Sequence, residues 1–280
     1  MTDDSLRPAW SNQFAPGTLR EVVPADLFAA ITPEWAWGGA DGSGVRVAVV
    51  DSGVEAAHPA LKGCVKAGVG FEFDDPAPDH VRLEEDNPPT DLAGHGTACA
   101  GIIHSLAPRA EIYSVRVLGR DMRGKAYQFA AGLRWAVEHG MQVVNLSLST
   151  SREEYFALFH KLADQAYFSS VVLVSAANNL PVASYPSLYS SVVSVAARDG
   201  HDPYAYQYNP SPPVEFGAPG IDVDVAWLDG QRTTITGNSF AAPHMAGIAA
   251  RILSKHPGMT PFQVKTVLMA CAANVRPAAS

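Results

Sequence analysis

Short apolar runs alternate with longer amphipathic stretches along most of the chain. Residues 45–50 read Val-Arg-Val-Ala-Val-Val, a nearly continuous apolar run that is typical of a parallel strand covered on both faces. Comparable runs at 112–117, 142–148, 171–176 and 191–196 predict further strands. Because strands and helices alternate, the pattern predicts an α/β fold with a doubly wound, mainly parallel central sheet and helices on both faces.

The helical stretches lie between or after these runs. They cover residues 95–103, 127–139, 152–168, 239–255 and 260–271. From residue 214 to residue 235 the strands shorten, and an antiparallel arrangement is expected. No internal repeat or low-complexity linker interrupts the pattern. We therefore expect an N-terminal arm, residues 1–40, with a short helix near 25–36, followed by a single domain, residues 41–280.

The stretch from Gly70 to Pro89 departs from this pattern. Its seven acidic residues face one basic residue, Arg82, and several prolines. This composition predicts a solvated acidic loop. The Asp-x-Asp-x-Asp-Gly spacing of a dedicated calcium loop is missing, so cation binding is the less favoured alternative. If the loop lies near a substrate cleft, its field would steer basic peptides towards it.

Charge and cysteine content narrow the class of protein. A net charge of −8 makes nucleic acid or an anionic membrane an unsuitable partner. No apolar run reaches the length of about 18 residues that a membrane span needs. The three cysteines, Cys64, Cys99 and Cys271, are too widely spaced for a Cys-x-x-Cys site and odd in number for a disulfide framework. Free thiols and an N-terminus without a signal-peptide pattern favour a cytoplasmic location. The pattern indicates no oligomeric state.

Three polar residues fall where functional groups gather in open α/β sheets, at the carboxyl ends of the strands. Asp51 follows the first strand, His95 opens a helix between two glycines, and Ser239 lies where a loop becomes a helix. Each alone has an ordinary interpretation: a turn, a helix start and an N-cap. Together, in this order, they are the set that nucleophilic acyl transfer requires.

The segments around these residues carry three motifs. They read V-V-D-S-G-V at 49–54, G-H-G-T-A-C-A-G at 94–101 and G-N-S-F-A-A-P-H-M-A-G at 237–247. They resemble the aspartate, histidine and serine motifs of the subtilisin-like serine peptidases, the subtilases. Three motifs in the right order are a far more specific signal than any one of them. The resemblance covers the chain from about residue 40 to 275 and implies a subtilisin-like fold.

The resemblance implies a role for each catalytic residue. Asp51 would orient and stabilise the base, His95 would act as general acid and base, and Ser239 would be the nucleophile. Subtilases also use a side-chain amide in the oxyanion hole. In the matching loop Asn178 takes the place of the usual Gly, so the register makes Asn179 the donor.

The family binds an extended peptide between two backbone segments. The matching residues here are Gly124, Ser147, Leu148, Ser149, Ala176 and Ala177. Two departures bear on the site. Asn238 replaces the common Thr and is expected to donate to the oxyanion, and Cys99 is expected to be a packed, unreactive thiol beneath the site. The chain is short between 102 and 107, where secreted subtilisins insert a calcium loop. We therefore expect no strong calcium site and no required cofactor.

The sequence thus predicts a serine endopeptidase that cleaves peptide or protein substrates through an acyl-enzyme. One alternative is a pathway-specific subtilase that removes a leader from a precursor peptide, with transfer to water or, in macrocyclisation, to an amine. The sequence has only an acidic loop where cyclisation would favour a long helical insertion, so hydrolysis is preferred. A catalytically silent peptide-binding module is the remote alternative, and the intact triad argues against it.

Overall fold

The computed structural model describes residues 31–73, 81–211 and 213–275 of the chain. Eleven strands are found in these ranges. They are β1 Arg46–Asp51, β2 Val65–Phe73, β3 Val81–Glu85, β4 Glu111–Arg116, β5 Val143–Leu146, β6 Val172–Ala176, β7 Val193–Arg198, β8 Gln207–Tyr208, β9 Phe216–Pro219, β10 Val223–Ala226 and β11 Arg232–Ile235.

The first nine strands form one sheet in the order β3-β2-β4-β1-β5-β6-β7-β9-β8. Every pair between β2 and β9 in this order is parallel, and only the two edge strands, β3 and β8, run antiparallel to their neighbours. The mainly parallel sheet of the prediction is confirmed. The expected antiparallel region is only partly right, because β9 pairs parallel with β7, whereas β10 and β11 form a separate antiparallel ribbon.

Helices cover both faces of the sheet. They are α1 Pro33–Trp37, α2 His95–Leu106, α3 Ala126–Glu138, α4 Phe156–Phe168, α5 Asn238–Lys255 and α6 Pro261–Ala270. Side chains of β1 alternate between the two layers: Val47 and Val49 pack with residues of α2 and α5, whereas Ala48 and Val50 pack with residues of α3 and α4. Both faces of β1 are therefore buried, which explains why its sequence is apolar almost without interruption.

The predicted acidic loop at 70–89 is wrong in part. Residues 65–73 and 81–85 are paired antiparallel strands, with Val69 opposite Glu85 and Phe73 opposite Val81. Arg116 on the neighbouring strand β4 donates to Glu72 at 3.0 Å, which compensates one of the acidic side chains on the sheet. The acidic composition suggested a loop in place of this hairpin. The edge strand is exposed, and its acidic residues show no alternation that would predict a strand.

The predicted N-terminal arm lies largely outside the described residues. Its described end includes α1, whose Trp35 ring stacks on His256 at 4.3 Å between ring centroids. Within the described ranges, no helix combines the length and the apolar character needed to cross a membrane.

Candidate active site

The carboxyl end of β1 is where the candidate residues meet. Asp51 is the last residue of β1, which lies between β4 and β5 at the centre of the sheet. His95 is the first residue of α2, and Ser239 lies in the first turn of α5. Gly96 allows α2 to approach this strand end closely. A Cβ atom at Gly96 would lie 1.9 Å from the carbonyl oxygen of Gly53, too close for any other residue type.

Asp51 and His95 form a two-pronged contact. The Nδ1–H group of His95 donates to Oδ1 of Asp51 at 2.8 Å, and the other carboxylate oxygen lies 2.9 Å away. Oδ1 also accepts from the backbone N–H of Ser52 at 2.7 Å. The Asp51 side chain is fully buried and that of His95 is 12% exposed. This geometry assigns the proton to Nδ1 and leaves Nε2 unprotonated in the neutral ring, ready to accept a proton.

The pKa of His95 reflects opposing effects. Burial favours the neutral ring and lowers the pKa, but the charge of Asp51, its hydrogen bond and the charge of Asp91 outweigh burial and raise the pKa above its usual value. The site therefore favours the imidazolium that a general base becomes after it takes a proton.

Ser239 and Ser147 form two hydrogen bonds with each other. The Ser239 hydroxyl donates to the carbonyl oxygen of Ser147 at 3.0 Å, and the Ser147 hydroxyl donates to the carbonyl oxygen of Ser239 at 2.8 Å. The second bond exists because Pro243, inside α5, has no N–H group to offer the Ser239 carbonyl four residues earlier. No hydrogen bond joins the Ser239 hydroxyl to the His95 ring among the described contacts.

The amides of Asn179 and Asn238 have different surroundings. Oδ1 of Asn179 accepts from the backbone N–H of Asn238 at 2.9 Å, and Asn179 lines the cleft. The NH2 group of Asn238 instead donates to the carbonyl oxygens of Ala177 and Asn178, and its Oδ1 accepts from the N–H of Ala197. The expected oxyanion donation by Asn238 is therefore wrong: this side chain braces the loop that carries Asn179.

A cleft of about 870 Å³ opens over these residues. Its lining includes His95, Ser239 and Asn179 together with the substrate-binding residues suggested by the resemblance. Those six are Gly124, Ser147, Leu148, Ser149, Ala176 and Ala177. The structure thus brings every candidate residue except the fully buried Asp51 to the wall of one cleft.

Cys99 and His244 lie close to the catalytic groups without facing the cleft. The Cys99 thiol is fully buried, 3.3 Å from the Ser147 hydroxyl, and burial raises its pKa well above the usual value. Nδ1–H of His244 donates to the Phe240 carbonyl oxygen at 2.9 Å, and burial lowers its pKa to about 4. Both groups stay uncharged near neutral pH, which suits packing roles.

Sequence reasoning missed Asp91. Its Oδ1 accepts from the Ser52 hydroxyl at 2.7 Å and from the N–H groups of Ala93 and Gly94, both at 2.9 Å. Its Oδ2 accepts from the N–H of Thr97 at 2.8 Å and from the Thr97 hydroxyl at 2.6 Å. The available signal was the Asp-x-x-Gly-His-Gly-Thr spacing, which places a carboxylate three residues before a helix N-cap and a hydroxyl two residues after His95.

The model of the subtilase family matches residues 42–280. This chain belongs to the subtilase family. The subtilase is 34% identical over 260 residues to the thermostable alkaline protease of Halalkalibacterium halodurans, covering 89% of this chain and 67% of that protein. It is 32% identical over 252 residues to subtilisin DY of Bacillus licheniformis, covering 85% of this chain and 86% of that protein.

Solved structures are similar in fold as well. The crystal structure of a cold-adapted subtilisin-like serine proteinase matches the subtilase with a TM-score of 0.68 and 29% identity, covering 82% of this chain and 83% of that one. Sphericase matches with a TM-score of 0.69 and 26% identity. These relatives identify the subtilase as a subtilisin-like serine endopeptidase.

The connection that follows α2 is short in the described structure. Helix α2 runs unbroken to Leu106, followed at once by buried Ala107. In the part of the chain that the structure describes, one group of three or more His, Cys, Asp or Glu side chains lies close enough to share an ion: Asp51, His95 and Cys99.

Proposed function

We propose that the subtilase hydrolyses peptide bonds with Asp51, His95 and Ser239 as its catalytic residues. The observation that carries this proposal is the bidentate contact of His95 with the buried Asp51, at the edge of a cleft that Ser239 also lines. A base held in one tautomer by a buried carboxylate, beside a hydroxyl at a helix N-terminus, is the arrangement that acyl transfer needs.

The chemistry proceeds in two halves. As the Ser239 oxygen bonds to the scissile carbonyl carbon, its proton passes to Nε2 of His95 and the carbonyl oxygen becomes an oxyanion. When the C–N bond breaks, Nε2 returns that proton to the leaving amine, and the acyl group stays on Ser239. Water then attacks the acyl carbon and gives a proton to Nε2 of His95. When the ester bond to Ser239 breaks, Nε2 returns that proton to the Ser239 oxygen and the carboxylic acid product leaves.

The Ser239 hydroxyl must turn before it reacts. At rest it donates to Ser147, so a rotation about its Cα–Cβ bond has to bring it to Nε2 of His95. A substrate strand that pairs with the Ser147–Ser149 segment would bring its own N–H groups to these carbonyls. Occupation of the Ser147 carbonyl oxygen by substrate favours that rotation.

The NH2 group of Asn179 is the proposed oxyanion donor. Its orientation is supported by the hydrogen bond from Asn238 N–H to its Oδ1. Removing one oxyanion donor lowers kcat by about 10²–10³, a figure established on a subtilisin.

Hydrolysis is the proposed outcome in preference to amine transfer. The insertion between β1 and α2 contributes two strands at the sheet edge, and its described residues form no helix over the cleft that would exclude water. We further propose that no metal takes part, because side chains of this protein are assigned to the nucleophile, the base and the oxyanion donor. We place the enzyme in the cytoplasm on the strength of its free thiols, Cys64, Cys99 and Cys271.

Labelling of Ser239 tests the mechanism. Purified protein is treated with a fluorophosphonate in EDTA, digested and mapped by mass spectrometry, and a peptide library is profiled in the same buffer. We expect the label on Ser239 and hydrolysed products in EDTA. Ser239→Ala should abolish both, whereas Ser169→Ala, at an exposed position, should keep both. Cleavage that survives Ser239→Ala would refute the assignment, and cyclised products would replace hydrolysis by amine transfer.

A further inference from the structure

Asp91 lies in the loop before α2 and accepts five hydrogen bonds. Three reach Oδ1, from the Ser52 hydroxyl and two loop N–H groups, and two reach Oδ2, from the N–H and hydroxyl of Thr97. Five protein donors are enough to occupy the roughly four lone-pair sites of an ionised carboxylate, so the loop and its neighbours replace water around the charge of Asp91.

These bonds join the two segments that carry the catalytic pair. Ser52 directly follows Asp51, and Thr97 lies two residues after His95. The junction is reinforced by the Gly96 N–H, which donates to the Ser52 hydroxyl at 3.2 Å, and by the Leu92 N–H, which donates to the Ser52 carbonyl at 3.0 Å. The end of β1 and the start of α2 are therefore fixed to each other through Asp91 and Ser52.

Asp91 also acts on His95 through space. The groups that bear on the imidazole are Asp51 on β1, Asp91 on the preceding loop, the Cys99 thiol on α2 and the Phe240 ring on α5. Cys99 stays neutral because burial raises its pKa, and Phe240 carries no charge. Asp51 and Asp91 are the two negative charges that raise the pKa of His95 against the opposing effect of burial.

We propose that Asp91 is a positioning residue for catalysis, which holds His95 against Asp51 and adds a second negative charge that stabilises the imidazolium formed during acyl transfer. This proposal rests on the proposed function, because it concerns the proton transfer that His95 performs. A carboxylate that served only to fix the loop would contribute to folding and leave the protonation of His95 unchanged. The two roles are separated by their effect on pH dependence.

Asp91→Asn removes the charge while keeping most of the geometry. The amide oxygen can replace Oδ1, which accepts three bonds. The NH2 group then faces Thr97, whose hydroxyl can turn to accept from it, but the Thr97 N–H loses its acceptor. Catalysis needs neutral His95, so kcat/KM rises with pH through the His95 pKa. Without the Asp91 charge that pKa falls, and the acidic limb of the profile should move to lower pH by about half a unit or more.

The rate on the plateau of the profile should fall with Asp91→Asn. The imidazolium in the transition state loses a stabilising charge, so kcat on the plateau should fall by about threefold, the equivalent of half a pKa unit. Asp91→Glu keeps the charge but moves it by one methylene, so it should lower the plateau and leave the limb near its wild-type position. If Asp91→Asn does not fold, Asp91→Glu still decides whether position matters.

Asp86→Asn is the matched control. Asp86 belongs to the same stretch of chain, is buried, and likewise accepts from the N–H and the hydroxyl of one threonine, Thr90. It does not contribute to the pKa of His95. Its replacement should lower stability but leave the acidic limb unchanged.

The protonation of His95 is also followed without turnover, by NMR titration of the ring in the Ser239→Ala protein. A lower ring pKa with Asp91→Asn than with Asp86→Asn supports the proposal. Unchanged limbs and ring titrations in a folded Asp91→Asn protein would overturn it, as would a full plateau with Asp91→Glu. Failure of the proposed function has a different signature, because wild-type protein would then show no hydrolysis that depends on Ser239.

Discussion

Ser147 serves the nucleophile with both its backbone and its side chain. Its carbonyl oxygen receives the resting Ser239 hydroxyl, and its own hydroxyl donates to the Ser239 carbonyl and accepts from the Asn145 amide at 2.9 Å. The Cys99 thiol is the other donor near the Ser239 carbonyl, at 3.5 Å. Since a thiol is a weak donor, the Ser147 hydroxyl is the main partner of a carbonyl that Pro243 leaves free.

Ser147→Ala should therefore destabilise the protein. The change leaves the Asn145 NH2 group without its acceptor and the Ser239 carbonyl with a thiol alone, and one such buried polar group costs about 1–3 kcal/mol. Urea unfolding measures the loss, in a Ser239→Ala background so that self-digestion does not interfere. Ser105→Ala is the control, because that hydroxyl donates only to the Ile102 carbonyl of its own helix at 2.7 Å. Equal midpoints for the two variants would show that the Ser147 hydroxyl is dispensable.

The sequence was sufficient to predict which residues form the catalytic site but not how the side chains around it are oriented. Motifs were enough to select Asp51, His95 and Ser239. The opposite orientations of Asn179 and Asn238 were not predictable, because they depend on carbonyl and N–H groups brought in by β7 and the loop after β6. For Asp91 the local spacing to Thr97 was visible in the sequence, but the contact with Ser52, 39 residues away, is made only by the fold.

At the scale of elements, the contact between the start of α2 and the end of β1 decides the catalytic geometry. A Cβ atom on Gly96 would lie 3.1 Å from the Asp51 Cβ as well as far too close to the Gly53 carbonyl oxygen. A carbonyl oxygen and a Cβ atom are fixed by the backbone, so neither can rotate away from the added methyl group. Any residue larger than glycine must push the helix outward.

Gly96→Ala should accordingly lengthen the contact between His95 and Asp51 and lower kcat by about 10²-fold, since small misplacements of catalytic groups carry costs of this size. Gly101→Ala provides the comparison on the same helix. Its added Cβ would meet a side-chain methyl, that of Ala226, at 3.2 Å, and alanine favours the helix by up to about 1 kcal/mol. Steady-state kinetics of both variants test the idea, and comparable kcat values would exclude close approach at Gly96 as the reason for its glycine.

The hairpin of β2 and β3 shows where element prediction reached its limit. Strands buried on both faces, such as β1, can be predicted from their apolar runs. An edge strand with exposed Arg82 and Leu83 does not, because its stability comes from pairing with β2, a neighbour in space. The local composition therefore favoured a loop, whereas the hydrogen-bonded pairing of β2 with β3 produced strands.

For the molecule as a whole, the alternation of apolar runs and helical stretches was sufficient to predict a doubly wound α/β domain, because layer packing follows from that alternation. The distribution of charge over the surface was not predictable, since it depends on which side chains line the cleft. The chain carries −8 overall, yet the described charged side chains that line the cleft, besides His95, are Arg123, Lys125, Arg152 and one acid, Asp121.

This local balance favours a different preference from the expected steering of basic peptides by the acidic stretch, of which residues 74–80 lie outside the described residues. Of the acidic side chains in the described hairpin, Glu72 is bound to Arg116 on the neighbouring strand, and none lines the cleft. Exposed charges act over about 10 Å at moderate salt, so the nearby cations outweigh the more distant net charge. A peptide with an acidic side chain on the N-terminal side of the cleaved bond should therefore be preferred.

Matched peptides with Glu, Gln or Lys at one such position test this preference. We expect kcat/KM to be about two- to fivefold higher for Glu than for Gln, the effect of an exposed ion pair worth ~0.5–1 kcal/mol, and lower still for Lys. Added salt should compress the three values towards one another. The double variant Arg123→Gln, Arg152→Gln should lose the order at all salt concentrations, whereas Arg134→Gln, an exposed change on α3 outside the cleft, should keep it. A preference for Lys at low salt would mean that the net charge of the molecule, and not the lining of the cleft, governs the approach of substrate.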